Sequence, residues 1–209
     1  MDDRTSEAPV LRLRRPEDVG EIRDLMARVY PPPHGPEAIW SGENLLRHLT
    51  HFPEGQMVVE AAGVLVGTAT AHRVPLELAL APHTWSQITG RGSLSTHDPQ
   101  GDALYGVNIA VDPDWQGRGV GRLLYQARID LARRLGCRAF VAGARIPGYH
   151  LVAAEMAPEA YVAAVVEGRT FDPTLSKQLG VGFQVRGVLR DYAPDPETLG
   201  HAALIVMDL

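Results

Sequence analysis

A single cysteine, Cys137, is all the thiol that this 209-residue chain carries. An intrachain disulfide is therefore impossible, and a small disulfide-stapled secreted scaffold is excluded. The chain also lacks a long hydrophobic run. No stretch approaches the roughly 20 apolar residues that a membrane-spanning helix needs. Its first residues, Met1 to Glu7, are polar and charged and hold no apolar signal-peptide segment, so the expected location is the cytoplasm. Positive charge is not in excess either: 20 Lys and Arg stand against 25 Asp and Glu, a formal net charge of −5. Non-specific nucleic-acid binding needs a net basic surface and is not the main task here. A local basic patch around an anionic ligand is still allowed. What remains is a chain of average hydrophobic content, long enough to bury a core without staples.

The pattern of apolar residues divides the chain into short elements. Residues 1–8 read as a disordered lead and 9–209 as a single domain. Val10 to Arg14 alternates apolar and charged residues, as a half-buried strand does. Pro16-Glu17-Asp18 opens a helix with proline and acids in its first turn, and Tyr30 to Pro33 stops it. A second helix is expected over Pro36 to His51, weakened by Gly42. Gln56 to Glu60 and Val64 to His72 form a hairpin through Ala62-Gly63. Val74 to Gln100 is rich in Pro, Thr, Ser, Gly and His and reads as an insertion or lid. Then come a strand at Leu104 to Val111, a helix from Gly121 to Leu135 ended by Gly136, and a strand at Arg138 to Ala144. Short helices at Pro158 to Glu167 and Asp172 to Leu179 precede strands at Phe183 to Leu189 and Ala202 to Met207. The fold class is α/β, with a mixed sheet in one domain.

One segment carries chemistry. Val107-Asn108-Ile109-Ala110-Val111 runs through Asp112-Pro113-Asp114-Trp115 into Gln116-Gly117-Arg118-Gly119-Val120-Gly121-Arg122. A strand thus enters a glycine-rich loop that opens a helix. Glycines let main-chain amides converge on a ligand, and a helix start adds free donors and a positive dipole end. Arg118 and Arg122 add charge. A Walker loop would need Lys and Ser/Thr after its last glycine, and Arg122-Leu123 stand there instead. A dinucleotide fingerprint starting at Gly117 would need a glycine where Arg122 sits.

The pattern Gln-x-x-Gly-x-Gly at Gln116, Gly119 and Gly121, after Ile109 to Pro113, resembles the acetyl-CoA motif of the GNAT superfamily. The order of elements from about residue 10 to 209 is similar as well. The resemblance implies a twisted mixed sheet flanked by helices, with the insertion near 74–100 added. It implies acetyl-CoA as co-substrate and no metal. Gly117, Arg118, Gly119, Val120 and Gly121 would hold the diphosphate, with Gln116 and Arg122 beside them. Ile109 and Val111 would offer backbone groups to the pantetheine arm. Arg145-Ile146-Pro147-Gly148-Tyr149, with Asp172-Pro173, Gly182-Phe183 and Gly187-Val188-Leu189, further resembles the GNAT portion of proteins that carry a nitrilase-like amidohydrolase; 209 residues leave no room for that hydrolase.

Acetyl transfer to an amine needs a base, a polarised thioester and a proton for the leaving thiolate. The family's direct attack implies no acyl-enzyme, so Cys137 is read as structural. Asn108 is the polar residue of an apolar strand. It either orients water or substrate or is a bonded amide at a strand irregularity, and it cannot serve as a base. Strand alternation places Tyr105, Val107, Ile109 and Val111 on one face. The family's tyrosine acid would fall at position 178, which holds Gln178. Tyr149 is the expected substitute, with His150 beside it; packing is the other reading of both. His48 and His51 are expected on a solvated helix face, and Trp40 and Trp85 as either core or acceptor-pocket walls.

The expected activity is N-acetyl transfer from acetyl-CoA to a primary amine, either a small molecule or a protein amine. No nucleic-acid or membrane partner is expected, and a homodimer is left open. The competing readings are a non-catalytic acyl-CoA-binding module and an O-acyl or longer-chain acyltransferase.

Overall fold

The computed structural model describes residues 8–34 and 38–209. Most of the disordered lead expected at residues 1–8 falls outside the described residues, as does the start of the helix expected from Pro36. Seven strands form one sheet: β1 (Val10–Leu13), β2 (Gln56–Ala61), β3 (Val64–Val74), β4 (Ala103–Val111), β5 (Ala139–Arg145), β6 (Gln184–Leu189) and β7 (Ala202–Asp208). Their order is β1-β2-β3-β4-β5-β7-β6. Only β4 and β5 run parallel; all other neighbours are antiparallel. The β2–β3 turn has Ala62 and Gly63 at φ +50° and +73°, the left-handed pair that a tight hairpin favours.

Helices cover both faces, which explains why the central strands are apolar on both sides. The long α5 (Val120–Arg134), α6 (Pro158–Val166) and α7 (Leu175–Val181) lie on one face. Leu124, Tyr161 and Leu175 pack there with Val66, Leu104, Phe140 and Phe183. On the other face α1 (Val19–Val29) and α2 (Gly42–His51) bring Ile22, Met26 and Leu45 against Val58, Tyr105 and Val141. Gly67 of β3 seats α5, since a Cβ there would lie 2.7 Å from Val120 Cγ1.

The insertion is a folded part of the second face. It contains α3 (Leu76–Leu80) and α4 (Trp85–Ile88), and Ala79, Ile88 and Leu94 are buried in the core. Its polar groups are anchored as well. Leu76 N donates to Asp102 (2.7 Å), Trp85 N to Tyr192 O (2.7 Å), and the His83 ring meets Tyr105 Oη at 2.7 Å. These bonds tie down what reads in sequence as a loop.

Three further differences have local causes. The second α-helix begins at Gly42 because Ser41 caps it, accepting from Asn44 N. The helix expected from Asp172 begins at Leu175, while the Asp172 carboxylate accepts from Thr174 N and Leu175 N. His48, expected in solvent, is fully buried. It meets Gly92 O at 2.7 Å and the buried Arg14 guanidinium at 3.4 Å. The insertion folds over that helix face, which helical periodicity alone could not reveal.

Burial pushes the His48 and His72 rings down to about 3. Both are therefore neutral when folded, whereas the unfolded chain protonates them below its ordinary value near 6.5. Between pH 6.5 and 3 the unfolded state binds more protons, so stability must fall as pH falls. Neither His72 nitrogen has a hydrogen-bond partner, which makes His72→Phe a clean test. Wild-type unfolding free energy should drop on acidification from pH 6.5 to 5. In the variant the slope should be shallower by about 1.4 kcal/mol per pH unit, measured by urea denaturation across pH.

Candidate active site

The site begins where two parallel strands part. β4 and β5 pair only from Ala103 to Gly106 against Ala139 to Ala142. Beyond that, β4 continues beside β3 and β5 beside β7, leaving a slot between them. A bulge sits at the same place: Ala71 faces Gly106 but Thr70 faces Asn108, so Val107 is the extra residue. The bulge breaks the alternation expected for β4. Tyr105 and Val107 point into the α1–α2 side, whereas Ile109 and Val111 pack on the α5 side.

The glycine loop follows at once. A short 3-10 turn, Pro113–Trp115, is held by Asp112, whose carboxylate accepts from Asp114 N and from Arg28 Nε at 2.8 Å. Gln116 to Gly119 are exposed. Gly117 and Gly119 have φ of +75° and +86°, and a Cβ on either would meet nothing within 4 Å. Among the described residues, no hydrogen bond occupies the amides of Gly117 to Arg122. An open loop of unsatisfied donors at the start of a 15-residue helix suits an anion. The Arg118 guanidinium rests 5.0 Å over the Trp115 ring, Arg122 is exposed, and Gln116 Nε2 donates to Val111 O.

On the α1 side of the slot, Asn108 Nδ2 reaches Tyr30 Oη at 3.5 Å. The Arg145 guanidinium lies 5.8 Å from the Tyr30 ring centre. Arg145 donates to Asp195 and, at 2.7 Å, to Glu197, and approaches His34 Nε2 at 3.2 Å. Burial opposes the charge on Arg145, but the two acids hold it above its ordinary value. Burial would likewise raise Asp195, yet the bonds from Arg145 bring it below the usual carboxylate range. His34, Asp195 and Glu197 are close enough together to hold a metal ion. The guanidinium already serves as their cation.

The expected catalytic residues are dispersed around this cluster. His150 is exposed, with Nδ1 2.7 Å from Pro147 O, and its amide donates to Glu197 O. It thus joins Arg145 through Glu197. Tyr149 is 5% exposed and packs against Tyr161 and His201. No hydrogen bond among the described residues joins either of them to Asn108. Cys137 is free and buried, as a structural thiol should be. Trp40 and Trp85 meet edge to face at 5.8 Å, and Trp85 Nε1 points to Val107 O in the bulge at 3.4 Å. Tyr30, Asp195 and Glu197 escape sequence reasoning because nothing in their local pattern sets them apart from surface residues, and Arg145 enters it only as the first residue of a resembling segment, without a role.

A model described as the Acetyltransferase (GNAT) family matches residues 19–153. The chain belongs to the GNAT family. It is 34% identical to YkwB of Bacillus subtilis (strain 168), an uncharacterized N-acetyltransferase, over 98% of this chain and 90% of that one. It is 38% identical to YhcX of the same organism, a probable hydrolase, over 89% of this chain. There it spans only 36% of the relative's length. Among solved structures, a GNAT-like decarboxylase, GphF in complex with isobutyryl-CoA, superposes with a TM-score of 0.79 at 30% identity. The match covers 95% of this chain and 98% of that one. The twisted mixed sheet flanked by helices is the expected GNAT fold. No helix among the described residues is long and apolar enough to cross a membrane.

Removing the Arg145 charge should expose how far the acids depend on it. Arg145→Met is expected to cost about 2 kcal/mol at pH 7, because the largely buried Asp195 keeps its charge without its partner. Since that carboxylate protonates on acidification, the loss should shrink at pH 3. Denaturant titration of both proteins at the two pH values measures this.

Proposed function

We propose that this GNAT protein transfers an acetyl group from acetyl-CoA to a primary amine, by direct attack on the thioester. The observation that carries the reading is the alignment of two features: the split between β4 and β5, and the open amides of Gly117 to Arg122 at the end of the same strand. An extended thioester with its diphosphate on the loop would lie along Ile109 and Val111, whose backbone edge β5 has left unpaired. Gln116, Arg118 and Arg122 would frame the phosphates. The acetyl group would then arrive near the Val107 bulge.

The acceptor would approach from the α1 side, where Asn108 and Tyr30 are placed to orient it. His150 and Tyr149, at the far end of β5, are the further candidates for proton traffic. The acceptor is a small-molecule or protein amine. As an amide, Asn108 orients but does not deprotonate, so water is the simplest carrier of the amine proton.

A second reading, decarboxylation of a carboxylated acyl-CoA, is favoured by a specific feature. The two acids of the cluster beside Tyr30, Asp195 and Glu197, are both engaged by Arg145, so neither is a free base for an amine. The likeness to a GNAT-like decarboxylase over nearly the whole chain supports the same alternative. Mass spectrometry after incubation with acetyl-CoA plus an amine panel, and separately with malonyl-CoA, distinguishes them. Acetylated amine with free CoA supports transfer; acetyl-CoA and carbon dioxide from malonyl-CoA support decarboxylation. Neither product, with tight CoA binding retained, would indicate a binding module.

The loop assignment has its own test. Gly119→Glu should weaken CoA binding by about 100-fold or more in calorimetry, while circular dichroism stays near wild type and melting falls by only about 2–4 °C, the effect of roughly 1 kcal/mol of backbone strain in a chain of this size. The side chain adds strain at positive φ and negative charge beside phosphate. Gly119→Asn, which tolerates this backbone region better, should lose much less. Unchanged affinity in Gly119→Glu would remove the loop from the site.

A further inference from the structure

The α5–α7 side of the slot holds a group of polar side chains that the functional reading leaves unused. α5 packs on β3, β4 and β5, and α7 packs on β5, so the two helices meet on the face of the sheet that carries the β4–β5 pair. Across the gap between them, Gln178 Nε2 lies 2.8 Å from Tyr125 Oη. Turning the amide over would let its oxygen accept from the hydroxyl instead; in either orientation the phenol is held in the gap.

One helical turn beyond Tyr125 lies Arg128, 2% exposed. Its guanidinium sits 4.7 Å over the Tyr125 ring and 5.2 Å over the Phe140 ring. Nη1 approaches Asn108 O at 3.4 Å, on the stretch of β4 that β5 no longer accompanies. No carboxylate pairs with it among the described ion pairs. Burial pulls this guanidinium below its ordinary value, and the neighbouring Tyr125 opposes the shift. Arg128 Nη2 and Gln178 Oε1 are both buried without hydrogen-bond partners. Buried polar atoms are rarely left so. Arg145, by contrast, is more than balanced by two acids. The charge of Arg128 is available to an anion that forms in the slot.

We propose that Tyr125, positioned by Gln178 and backed by the Arg128 guanidinium, is the acid that protonates the departing CoA sulfur. This rests on the transfer reading above. The amine nitrogen attacks the thioester carbon, and the carbon–sulfur bond breaks with its electron pair on sulfur. The Tyr125 Oη proton passes to sulfur, giving free CoA thiol. The phenolate formed beside Arg128 is reprotonated through solvent by the proton that the amine nitrogen loses. Tyr125 acts as acid; Gln178 is a positioning residue, and Arg128 stabilises the anion wherever it resides.

Tyr125→Phe should keep CoA affinity within about threefold by calorimetry. Its kcat with acetyl-CoA and the best amine should fall about 100-fold. Adding Gln178→Tyr to that variant delivers a phenol from α7 and should restore at least tenfold of the loss. Arg128→Met should raise the pKa of the bound CoA thiol by about one unit or more, read from thiolate absorbance near 240 nm, and Tyr125→Phe should shift it in the same direction. This second readout requires no acceptor. If no amine releases thiol from wild type, the transfer reading fails while the thiol titration still tests the Tyr125–Arg128 unit. Normal kcat in Tyr125→Phe, especially alongside loss in Tyr149→Phe, would overturn the assignment. So would an unshifted thiol in both variants.

Discussion

The structure depends on a hydrogen-bond ladder that stops. β4 and β5 share pairing over four residues each and then part, which leaves two strand edges inside a domain whose other strands are paired. Unpaired buried backbone is costly, and the protein handles it in specific ways. Arg128 reaches Asn108 O from one side, Tyr30 and Asn108 cover the gap from the other, and the remaining edge faces a slot. The Val107 bulge at the parting point re-aims the rest of β4, so that Ile109 and Val111 turn toward α5. A strand that continued its alternation would place those side chains on the α1–α2 side.

The two faces of the sheet divide the work. The α5 face combines the anion-suited loop with a buried aromatic and cationic group, Tyr125, Arg128, Phe140 and Phe183. The α1 face carries Tyr30, the Arg145 cluster and the folded insertion. That insertion contributes Trp85, whose indole points at the bulge carbonyl and whose ring leans on Trp40. Both walls of the slot are thus built from segments far apart in sequence, tied through single side-chain contacts.

Charge is handled oppositely on the two sides. Arg145 is surrounded by Asp195, Glu197 and His34, so its field is cancelled locally. Arg128 has aromatic rings and a carbonyl for company and retains an unpartnered nitrogen. A guanidinium buried among rings is less shielded than one in water, because the surrounding dielectric is low. The asymmetry makes the α5 side hospitable to an anion, whereas the α1 side, with two carboxylates to one guanidinium, carries net negative charge.

The sequence by itself determined the order of elements outside the 74–100 insertion, the glycine loop and the family. Apolar periodicity and turn residues act over a few positions, as at Ala62-Gly63 and Gly136, and the loop needs only its own glycines and a helix behind it. Only the tertiary structure decided which polar residues meet. The bulge at Val107 depends on how β3 pairs with β4. The burial of His48 depends on an insertion that starts about 25 residues later. Tyr125 reads as one face position of an amphipathic helix until α7 brings Gln178 against it. Contacts of this kind are set by long-range packing between elements, and no local pattern of residues encodes them.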